Sequence, residues 1–251
     1  MTQKPNPKFQ LPNTCLPTGR SLVFGDFITL CPMRSALCQE NHRIDYFDKL
    51  APHYDILLDL LTFGQYAEFQ KRAVKILAPK RGEKILDLCS GTGRVASWIV
   101  KAVGEEGEVV GMDISKSMVE LAKKRYEGLK RVMFLHKDVT KPFEYQNYFD
   151  GIFTSFAIHE LPEKKRLAAL EHSFLALKEK GKMMIADFNP QVSGGGKTVL
   201  LAFFKLFERK TLNFFSFDQN EMLKKVGFKR IRTFPVLARM FQITLAHRSA
   251  D

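Results

Sequence analysis

The stretch KILDLCSGTGR, residues 84–94, decides the fold of this chain. An apolar strand runs into a turn of small residues, and the pattern of a helix opens directly behind the turn. Gly91 and Gly93 have no Cβ, so the backbone of the turn can approach a ligand closely. The first amides of the following helix can bond to that same ligand. Together these features predict a nucleotide-cofactor site on a β-α-β unit.

Two carboxylates flank this turn in the sequence. Asp113 ends a second strand, 20 residues after Gly93, where it would meet the hydroxyls of a ribose. Asp87 ends the first strand, four residues before Gly91. A carboxylate there suits a ligand with an ammonium and a sulfonium better than it suits a pyrophosphate. Two alternatives stay open: the glycine spacing also fits NAD, and Asp87 can serve only to accept backbone amides of the turn.

These residues resemble motif I of the class I S-adenosylmethionine (SAM) methyltransferases, (D/E)-x-G-x-G-x-G. The chain departs from the motif where Cys89 replaces a glycine, and we expect the turn to be slightly wider there. The resemblance covers roughly residues 45–190. It implies SAM as the cofactor and S-adenosylhomocysteine as the product. The residues that it implies as cofactor contacts around this turn are Asp87, Ser90, Gly91, Gly93, Asp113 and Ile114.

Two later strand ends fit the same resemblance. RVMFLHKD delivers Asp138 and Val139, which resemble the family's adenine contacts, a carboxylate for the exocyclic amine and a backbone amide for the ring. Asp138 as an ordinary loop carboxylate is the alternative. FDGIFTSFAIHEL ends with Ser155 and Phe156, which the resemblance places beside the site of methyl transfer, with Ser155 as a further cofactor contact.

The segment YFDKLAPHYDILLDLLTFG is similar to the first helices of ubiquinone/menaquinone C-methyltransferases and implies that Tyr54 contacts SAM. In that family the fourth strand usually continues into an arginine-asparagine pair, whereas this chain reads AIHEL. The latter arrangement is also similar to other small-molecule and lipid methyltransferases. We therefore expect a small, apolar acceptor, either a quinone precursor or a lipid. An RNA or DNA methyltransferase and a non-catalytic SAM-binding protein are the alternatives.

His159 is the candidate catalytic residue. It follows Ser155 by four residues, at the edge of an open α/β sheet where ligands bind. An imidazole, with an ordinary pKa near ~6.5, can accept a proton at neutral pH. A general base is needed when the acceptor must lose a proton. The alternative is that His159 and Glu160 only form the turn into the next helix.

The alternation of strand and helix patterns predicts an α/β fold. We expect a Rossmann-like, doubly wound, seven-stranded sheet, mostly parallel, with a C-terminal antiparallel hairpin and a helical lid. An irregular N-terminal extension is expected over residues 1–43, with Met33 as a possible start, and a methyltransferase domain over 44–251, with lid segments 45–78 and 197–217. The expected strands are 84–88, 107–112, 131–135, 149–155, 182–187, FKRIRTFPV and MFQITLAHR, and the expected helices of the core are 93–103, 116–127, 163–179 and 218–226.

The net charge of +12 would attract anionic lipids, nucleic acid or an acidic substrate. Because the basic residues form short clusters along the chain, a solvated basic surface is favoured, nucleic acid is disfavoured and no obligate protein partner is predicted. The phenylalanine-rich run after Gly196 is apolar on nearly every face. It either packs as a lid or forms an acceptor pocket reached from an anionic membrane, with Lys205, Arg209 and Lys210 toward the headgroups.

The remaining patterns suggest a cytoplasmic protein, with peripheral contact at the inner face of the membrane left open. No apolar run approaches the ~20 residues that a membrane span needs. The four cysteines have no paired spacing. HELPE, residues 159–163, imitates the zinc motif H-E-x-x-H but has Glu163 in place of the second histidine, so no metal site is predicted.

Overall fold

A seven-stranded β-sheet forms the centre of the structure. The computed structural model describes residues 44–45, 47–61, 64–207, 217–237 and 239–249, with side chains except for those of residues 61 and 202–207. The predicted extension over residues 1–43 and the site of Met33 lie outside the described residues. So do residues 208–216 of the predicted second lid segment.

The sheet has the predicted class of topology. Its strands run in the order β3-β2-β1-β4-β5-β7-β6. β7 is antiparallel to both of its neighbours, and the other adjacent pairs are parallel. The strands are β1 (Lys84–Leu88), β2 (Glu108–Asp113), β3 (Val132–His136), β4 (Phe149–Ser155), β5 (Leu177–Phe188), β6 (Lys229–Val236) and β7 (Phe241–His247). The order reverses between β1 and β4, and ligands of open α/β sheets bind outside the carboxyl ends of the strands at such a point.

Helices cover both faces of the sheet. They are α1 (Tyr54–Leu61), α2 (Gln65–Leu77), α3 (Ala96–Val103), α4 (Lys116–Arg125), α5 (Glu163–Ala176), α6 (Gly194–Phe207) and α7 (Gln219–Val226), with short 3-10 turns at Ala51–His53 and Ile158–Glu160. Buried side chains of α2, α3 and α4 belong to one hydrophobic cluster. Those of α5, α6 and α7 belong to a second cluster. The sheet separates the two clusters and supplies residues to both.

The position of β1 in a sheet covered by helices on both faces explains its apolar sequence. Ile85 lies in the cluster of α2, α3 and α4, whereas Leu86 and Leu88 lie in the other cluster. Successive residues of a strand point to opposite faces. A strand covered on both faces therefore needs a nearly continuous apolar sequence rather than alternation. This is why the strand was recognisable without any period-two pattern.

The boundary between α5 and β5 differs from the prediction. The helix predicted over 163–179 ends at Ala176, and β5 begins at Leu177 rather than at residue 182. The amides of Asn147 and Tyr148 donate to the carbonyls of Leu175 and Ala176, and Leu177 pairs with the start of β4. This pairing extends the strand at the expense of the last helical turn.

The first predicted lid segment divides into two parts. Residues 47–50, the turn at Ala51–His53 and α1 precede the core, and we call residues 47–61 the clamp segment. α2 buries Phe69, Ala73 and Leu77 against the sheet. None of the helices in the described part of the chain combines the length and apolar character that a membrane crossing requires.

Candidate active site

The turn after β1 has a left-handed backbone at three positions. Cys89, Gly91 and Gly93 have φ values of 58°, 53° and 73°. Cys89 thus adopts the conformation that the glycine of the motif would favour, at a cost of about 1–2 kcal/mol for a residue with a Cβ. The hydroxyl of Tyr126 donates to the carbonyl of Gly93 at 2.7 Å and fixes the far side of the turn.

Asp87 is buried below this turn, and no described salt bridge gives it a cationic partner. Its side chain is only 2% exposed. Burial, together with the nearby charge of Asp113, raises the pKa of Asp87 to about 8. Within the described residues, its Oδ2 and the buried Oγ of Ser90 have no hydrogen-bond partner. A ligand cation would supply what Oδ2 lacks.

The glycine turn leaves room for a ligand next to these atoms. A Cβ added to Gly91 would meet no atom within 4 Å among the described residues beyond its chain neighbours. A Cβ added to Gly93 would instead lie 2.9 Å from the ring of Phe134. Gly91 therefore faces the ligand side of the turn, and Gly93 packs against the protein. The residues of this site fit the ammonium and sulfonium of SAM.

Asp113 ties the turn to the end of β2. Its Oδ2 accepts the amide of Gly91 at 2.8 Å, and its Oδ1 accepts the amide of Ser115 at 2.8 Å. Burial raises the pKa of the Asp113 carboxyl, and the amides of Ser115 and Gly91 oppose that rise. The carbonyl of the adjacent Ile114 lies 2.9 Å from Nε2 of His136. The acidic residue of β2 and the glycine turn of β1 thus form one unit.

Asp138 and Val139 lie in the loop after β3, at the same edge of the sheet. The amide and hydroxyl of Thr140 donate to Oδ1 of Asp138 at 2.9 and 2.7 Å. Val139 is buried in the cluster of α5, and its carbonyl is 3.4 Å from Nδ1 of His172. Oδ1 of Asp138 stabilises its own turn, as in the alternative of a loop carboxylate, and this leaves its predicted contact with adenine untested.

Aspartates of the clamp segment bond to the residues around the glycine turn. The pairs are Asp48 with Ser115 and Ser117, Asp55 with Thr92 and Arg125, and Asp59 with Arg94. Thr92 and Arg94 belong to the turn itself, and Ser115 caps the N-terminus of α4. The clamp segment is therefore held against the cofactor side of β1 and β2 by charged and polar bonds.

Tyr54 and Ser155 lie on the side of the site that faces α2. Tyr54 is hydrogen-bonded to Tyr66. Nε2 of Gln70 donates to Oγ of Ser155 at 2.9 Å. The buried Oε1 of Gln70 has no hydrogen-bond partner among the residues that the structure describes. Gln70 was not predicted as a site residue, because a glutamine on a helix face gives no signal in the sequence.

Aromatic rings surround Phe156, directly after β4. We call the set the aromatic cluster: Tyr66, Phe69, Phe156, Phe188 and Phe241. The ring of Phe156 has centroid distances of 5.0, 5.3, 5.3 and 5.7 Å to the other four in that order. Phe156 has a φ of 48°, and this left-handed backbone turns its ring into the cluster. Non-glycine residues in this region are uncommon and are often found at functional sites.

His159 lies in the 3-10 turn Ile158–Glu160 and is bonded to a carboxylate of the next strand. Its Nδ1 is 2.6 Å from Oδ1 of Asp187, the penultimate residue of β5. The main-chain amide of His159 donates to Oδ2 of Asp187 at 3.2 Å. The side chains of His159 and Asp187 are almost fully buried, and the imidazole is perpendicular to the ring of Phe188, with ring centroids 4.8 Å apart. A neutral imidazole held in this way can accept a proton at its other nitrogen.

Arg166 of α5 supports the turn that carries His159. Its Nε and Nη2 donate to the carbonyls of Ile158 and Leu161 at 3.0 and 2.9 Å. Its guanidinium stacks on the ring of Phe217, 3.9 Å from the centroid. Burial lowers the pKa of this guanidinium, and the charge of Asp187 opposes the effect.

The structure brings the predicted residues together at one edge of the sheet. Those around β1 and β2 surround the glycine turn, Asp138 and Val139 follow β3, and Ser155 and His159 follow β4. Asp187 was missed, although KMMIADF is an apolar strand that ends near a carboxylate, as KILDL is. The rule that identified Asp87 would have identified it.

Comparisons with known proteins identify the family and the fold. A sequence profile described as the ubiE/COQ5 methyltransferase family matches residues 36–208. Demethylmenaquinone methyltransferases from Staphylococcus aureus strains JH9 and Newman are 28% identical over 233 residues, which cover 85% of this chain and 95% of each relative.

Solved structures with the same fold include a SAM-dependent methyltransferase from Aquifex aeolicus, with a TM-score of 0.53, 24% identity, and coverage of 71% of this chain and 89% of that one. Another is phosphoethanolamine N-methyltransferase 2 from Haemonchus contortus in complex with SAM, with a TM-score of 0.56, 17% identity, and coverage of 72% and 52%. The profile match spans more than half of the sequence, and the chain belongs to the ubiE/COQ5 methyltransferase family.

Proposed function

We propose that this SAM-dependent methyltransferase methylates the ring of a small, apolar quinone precursor. The family supports a quinone-related acceptor, and the S. aureus relatives are named for demethylmenaquinone. The observation that carries the proposal is the aromatic cluster beside His159. A planar acceptor ring can stack on such side chains, and each stacked pair adds about 0.5–1.5 kcal/mol beyond the burial of its area.

The cofactor site is assigned from the partners that its residues have and lack. With SAM bound, Asp87 would hold its positive charge, Asp113 would hold the ribose hydroxyls, and Asp138 with the amide of Val139 would hold the adenine. Ser90, Gly91, Gly93 and Ile114 would line the cofactor site, with Tyr54 and Ser155 as further contacts. SAM would supply an electrophilic methyl group there, with S-adenosylhomocysteine as the product.

The protein aligns the acceptor and removes its proton. The aromatic cluster holds the acceptor ring and excludes water from it, because most of its side chains are buried. His159 accepts the proton that the ring hydroxyl or the methylated ring carbon loses. The reduced, hydroquinone form is the expected acceptor, since the quinone is electron-poor and is no nucleophile.

The test is a methylation assay with the purified protein and SAM. The candidate acceptors are a reduced naphthoquinol with a short isoprenoid tail and the corresponding benzoquinol, with phosphoethanolamine and transfer RNA as controls. We expect ring-methylated quinol and an equal amount of S-adenosylhomocysteine by mass spectrometry. Methylation of a control alone, or SAM binding without transfer to either quinol, would overturn the proposed acceptor.

We also propose that the clamp segment touches an anionic membrane through which the acceptor arrives. Ile56 and Leu60 of α1 are 62% and 70% exposed and lie one turn apart. Asp55 and Asp59 of the same helix are engaged with the cofactor turn. The net charge of +12 complements an anionic surface. The membrane-facing residues predicted from the sequence, Lys205, Arg209 and Lys210, lie outside the described side chains.

Sedimentation with vesicles of anionic phospholipid tests this contact. We expect binding that weakens as salt rises and is reduced in the double variant Ile56→Ser, Leu60→Ser. Leu129→Ser is the matched control, because Leu129 is 48% exposed and lies outside the clamp segment. An equal loss of vesicle binding in Leu129→Ser would contradict the proposed membrane contact. So would the absence of vesicle binding by the wild type at low salt.

A further inference from the structure

We infer that Asp187 is a positioning residue that makes His159 the proton acceptor of the methyl-transfer reaction. The inference rests on the proposed function, since it assigns a role within the same site. Asp187 lies on β5, 28 positions after His159 in the sequence. Asp187 acts through His159 and is not assigned any contact with the acceptor.

The carboxylate of Asp187 is held by three donors. They are Nδ1 and the main-chain amide of His159 and the main-chain amide of Phe188, the last at 2.8 Å. Asp187 is 1% exposed, and His159 is 5% exposed. A buried carboxylate with this set of donors has one orientation, and the imidazole bonded to it has one orientation as well. The pair is therefore rigid before any ligand binds.

The carboxylate also selects the tautomer of the imidazole. An ionised carboxylate accepts hydrogen bonds and donates none, so the proton of neutral His159 resides on Nδ1. Nε2 then carries the lone pair, which makes it the basic nitrogen. Charged groups that the structure describes near the pair include Glu160, whose Oε1 is 3.8 Å from Nε2, and Arg166 with its neighbour Glu163.

The proton transfer balances with this arrangement. The bond between the acceptor atom and its hydrogen breaks, and the electron pair of that bond stays with the acceptor. The proton moves to Nε2, and the resulting imidazolium is stabilised by Asp187 at 2.6 Å. Asp187 keeps its bond to Nδ1 throughout, and the imidazolium returns its proton to solvent after the product has left.

Arg166 has a part in the same arrangement. Its bonds to Ile158 and Leu161 hold the residues on either side of His159 and Glu160. This fixes the turn, while Asp187 fixes the ring. The family resemblance places an arginine-asparagine pair after the fourth strand, whereas this chain has a histidine there that is paired across to β5.

The first test compares kinetic constants on an acceptor that the wild type methylates. In the Asp187→Asn variant, the side-chain amide of the new asparagine can donate to Nδ1 of His159. The imidazole then carries its proton on Nε2, and Nε2 has no lone pair to accept a proton from the acceptor. We expect kcat to fall by about 10²–10⁴-fold. The KM for the acceptor and the Kd for SAM should not change. Asp150→Asn is the matched control, because Asp150 is an ion-paired aspartate at the opposite end of β4 and lies 2.7 Å from Lys178.

The double variant tests whether Asp187 acts through His159. In the background of His159→Gln, the change Asp187→Asn should cause no further loss of kcat, since residues that act as a unit are not additive. A full additional loss would overturn the inference. So would a kcat for Asp187→Asn equal to that of the wild type. Inactivity of the wild type on every quinol, with SAM still bound, would instead count against the proposed function.

A measurement on the wild-type protein needs no variant to fold. The nitrogen chemical shifts of His159 report its tautomer in solution. We expect the form with the proton on Nδ1, and we expect Asp187→Asn to reverse it. A wild-type spectrum with the proton on Nε2 would overturn the inference, whatever the kinetics show.

Discussion

Replacing Asp87 with asparagine should stabilise the protein without SAM and at the same time remove its affinity for SAM. The wild-type carboxyl is buried beside Asp113, and its Oδ2 has no hydrogen-bond partner in the described part of the chain. Ionising it there is costly in the absence of a cation. Asparagine has a similar shape and carries no charge, so it removes this cost. It also removes the negative charge that faces SAM.

The magnitude follows from the pKa. The pKa of Asp87 is about 8 in the folded protein, against an ordinary value of 3.8. Between these values the folded protein retains a proton that the unfolded chain releases, so stability falls as pH rises through this window. The loss from this group reaches on the order of 5 kcal/mol near pH 8, since one pKa unit corresponds to about 1.36 kcal/mol. The Asp87→Asn variant lacks this loss.

Denaturant unfolding of both proteins without SAM measures the effect. We expect the free energies of unfolding to be similar near about pH 4 and to diverge as pH rises toward 8, with the variant more stable. The low-pH comparison is the internal control, because both side chains are neutral there in the folded state. Parallel pH dependences of the two proteins would refute the reasoning.

The binding of SAM provides a second measurement of the same charge. If the positive charge of SAM lies beside Asp87, SAM binding ionises the Asp87 carboxyl and releases a proton near neutral pH. Calorimetry in buffers with different ionisation enthalpies counts that proton. We expect close to one proton per SAM in the wild type. Binding without proton release, or undiminished affinity in the Asp87→Asn variant, would place the positive charge elsewhere.

Other substitutions test the remaining parts of the site. Gly91→Ala should cost no more than about 2 kcal/mol of stability, which is the strain of a residue with a Cβ in the left-handed region. The variant should nevertheless lose SAM binding in calorimetry, and retained affinity would contradict the placement of the cofactor. Gly93→Ala should lower the melting temperature further, because its Cβ meets Phe134 at 2.9 Å; an equal shift in both variants would show that the clash is absent. Asp55→Asn weakens the bond to Thr92 and should speed SAM dissociation in stopped-flow experiments; an unchanged rate would separate the clamp segment from cofactor retention. Phe156→Leu keeps an apolar side chain but loses the ring, so the KM for the quinol should rise while the Kd for SAM stays the same; an unchanged KM would exclude stacking of the acceptor.

The fold could be predicted from the sequence because its signals are local. Apolar strands such as KILDL and GEVVGMD are covered on both faces, and short helical patterns follow them. The predicted end of α5 was wrong. The helix ends where Leu177 pairs with Phe149, and these two residues are far apart in the sequence. The backbone of Cys89 was also not predictable, since a cysteine gives no sign of a left-handed conformation.

The site could be predicted only in part, for a similar reason. Motif spacing locates residues at or beyond the ends of strands, such as Asp113 and His159. It does not show which partners those residues acquire. Gln70 reaches Ser155 from a helix, and Asp55 reaches Thr92 from the clamp segment. Such contacts arise from tertiary packing, and the identity of the residue alone gives no indication of them.

Two carboxylates at the same edge of the sheet illustrate how partners set a role. Asp87 and Asp187 lie at or near the ends of apolar strands, and both are nearly inaccessible to solvent. Asp187 accepts the main-chain amides of His159 and Phe188 and lies 2.6 Å from Nδ1 of His159, so its oxygens have partners within the protein and can fix a neighbouring side chain. Asp87 has an oxygen that no described residue satisfies, so its charge is stable only when a ligand supplies a cation. The same residue type in equivalent places of the fold therefore suits the proposed positioning of a proton acceptor at one strand and the proposed recognition of a cationic cofactor at the other.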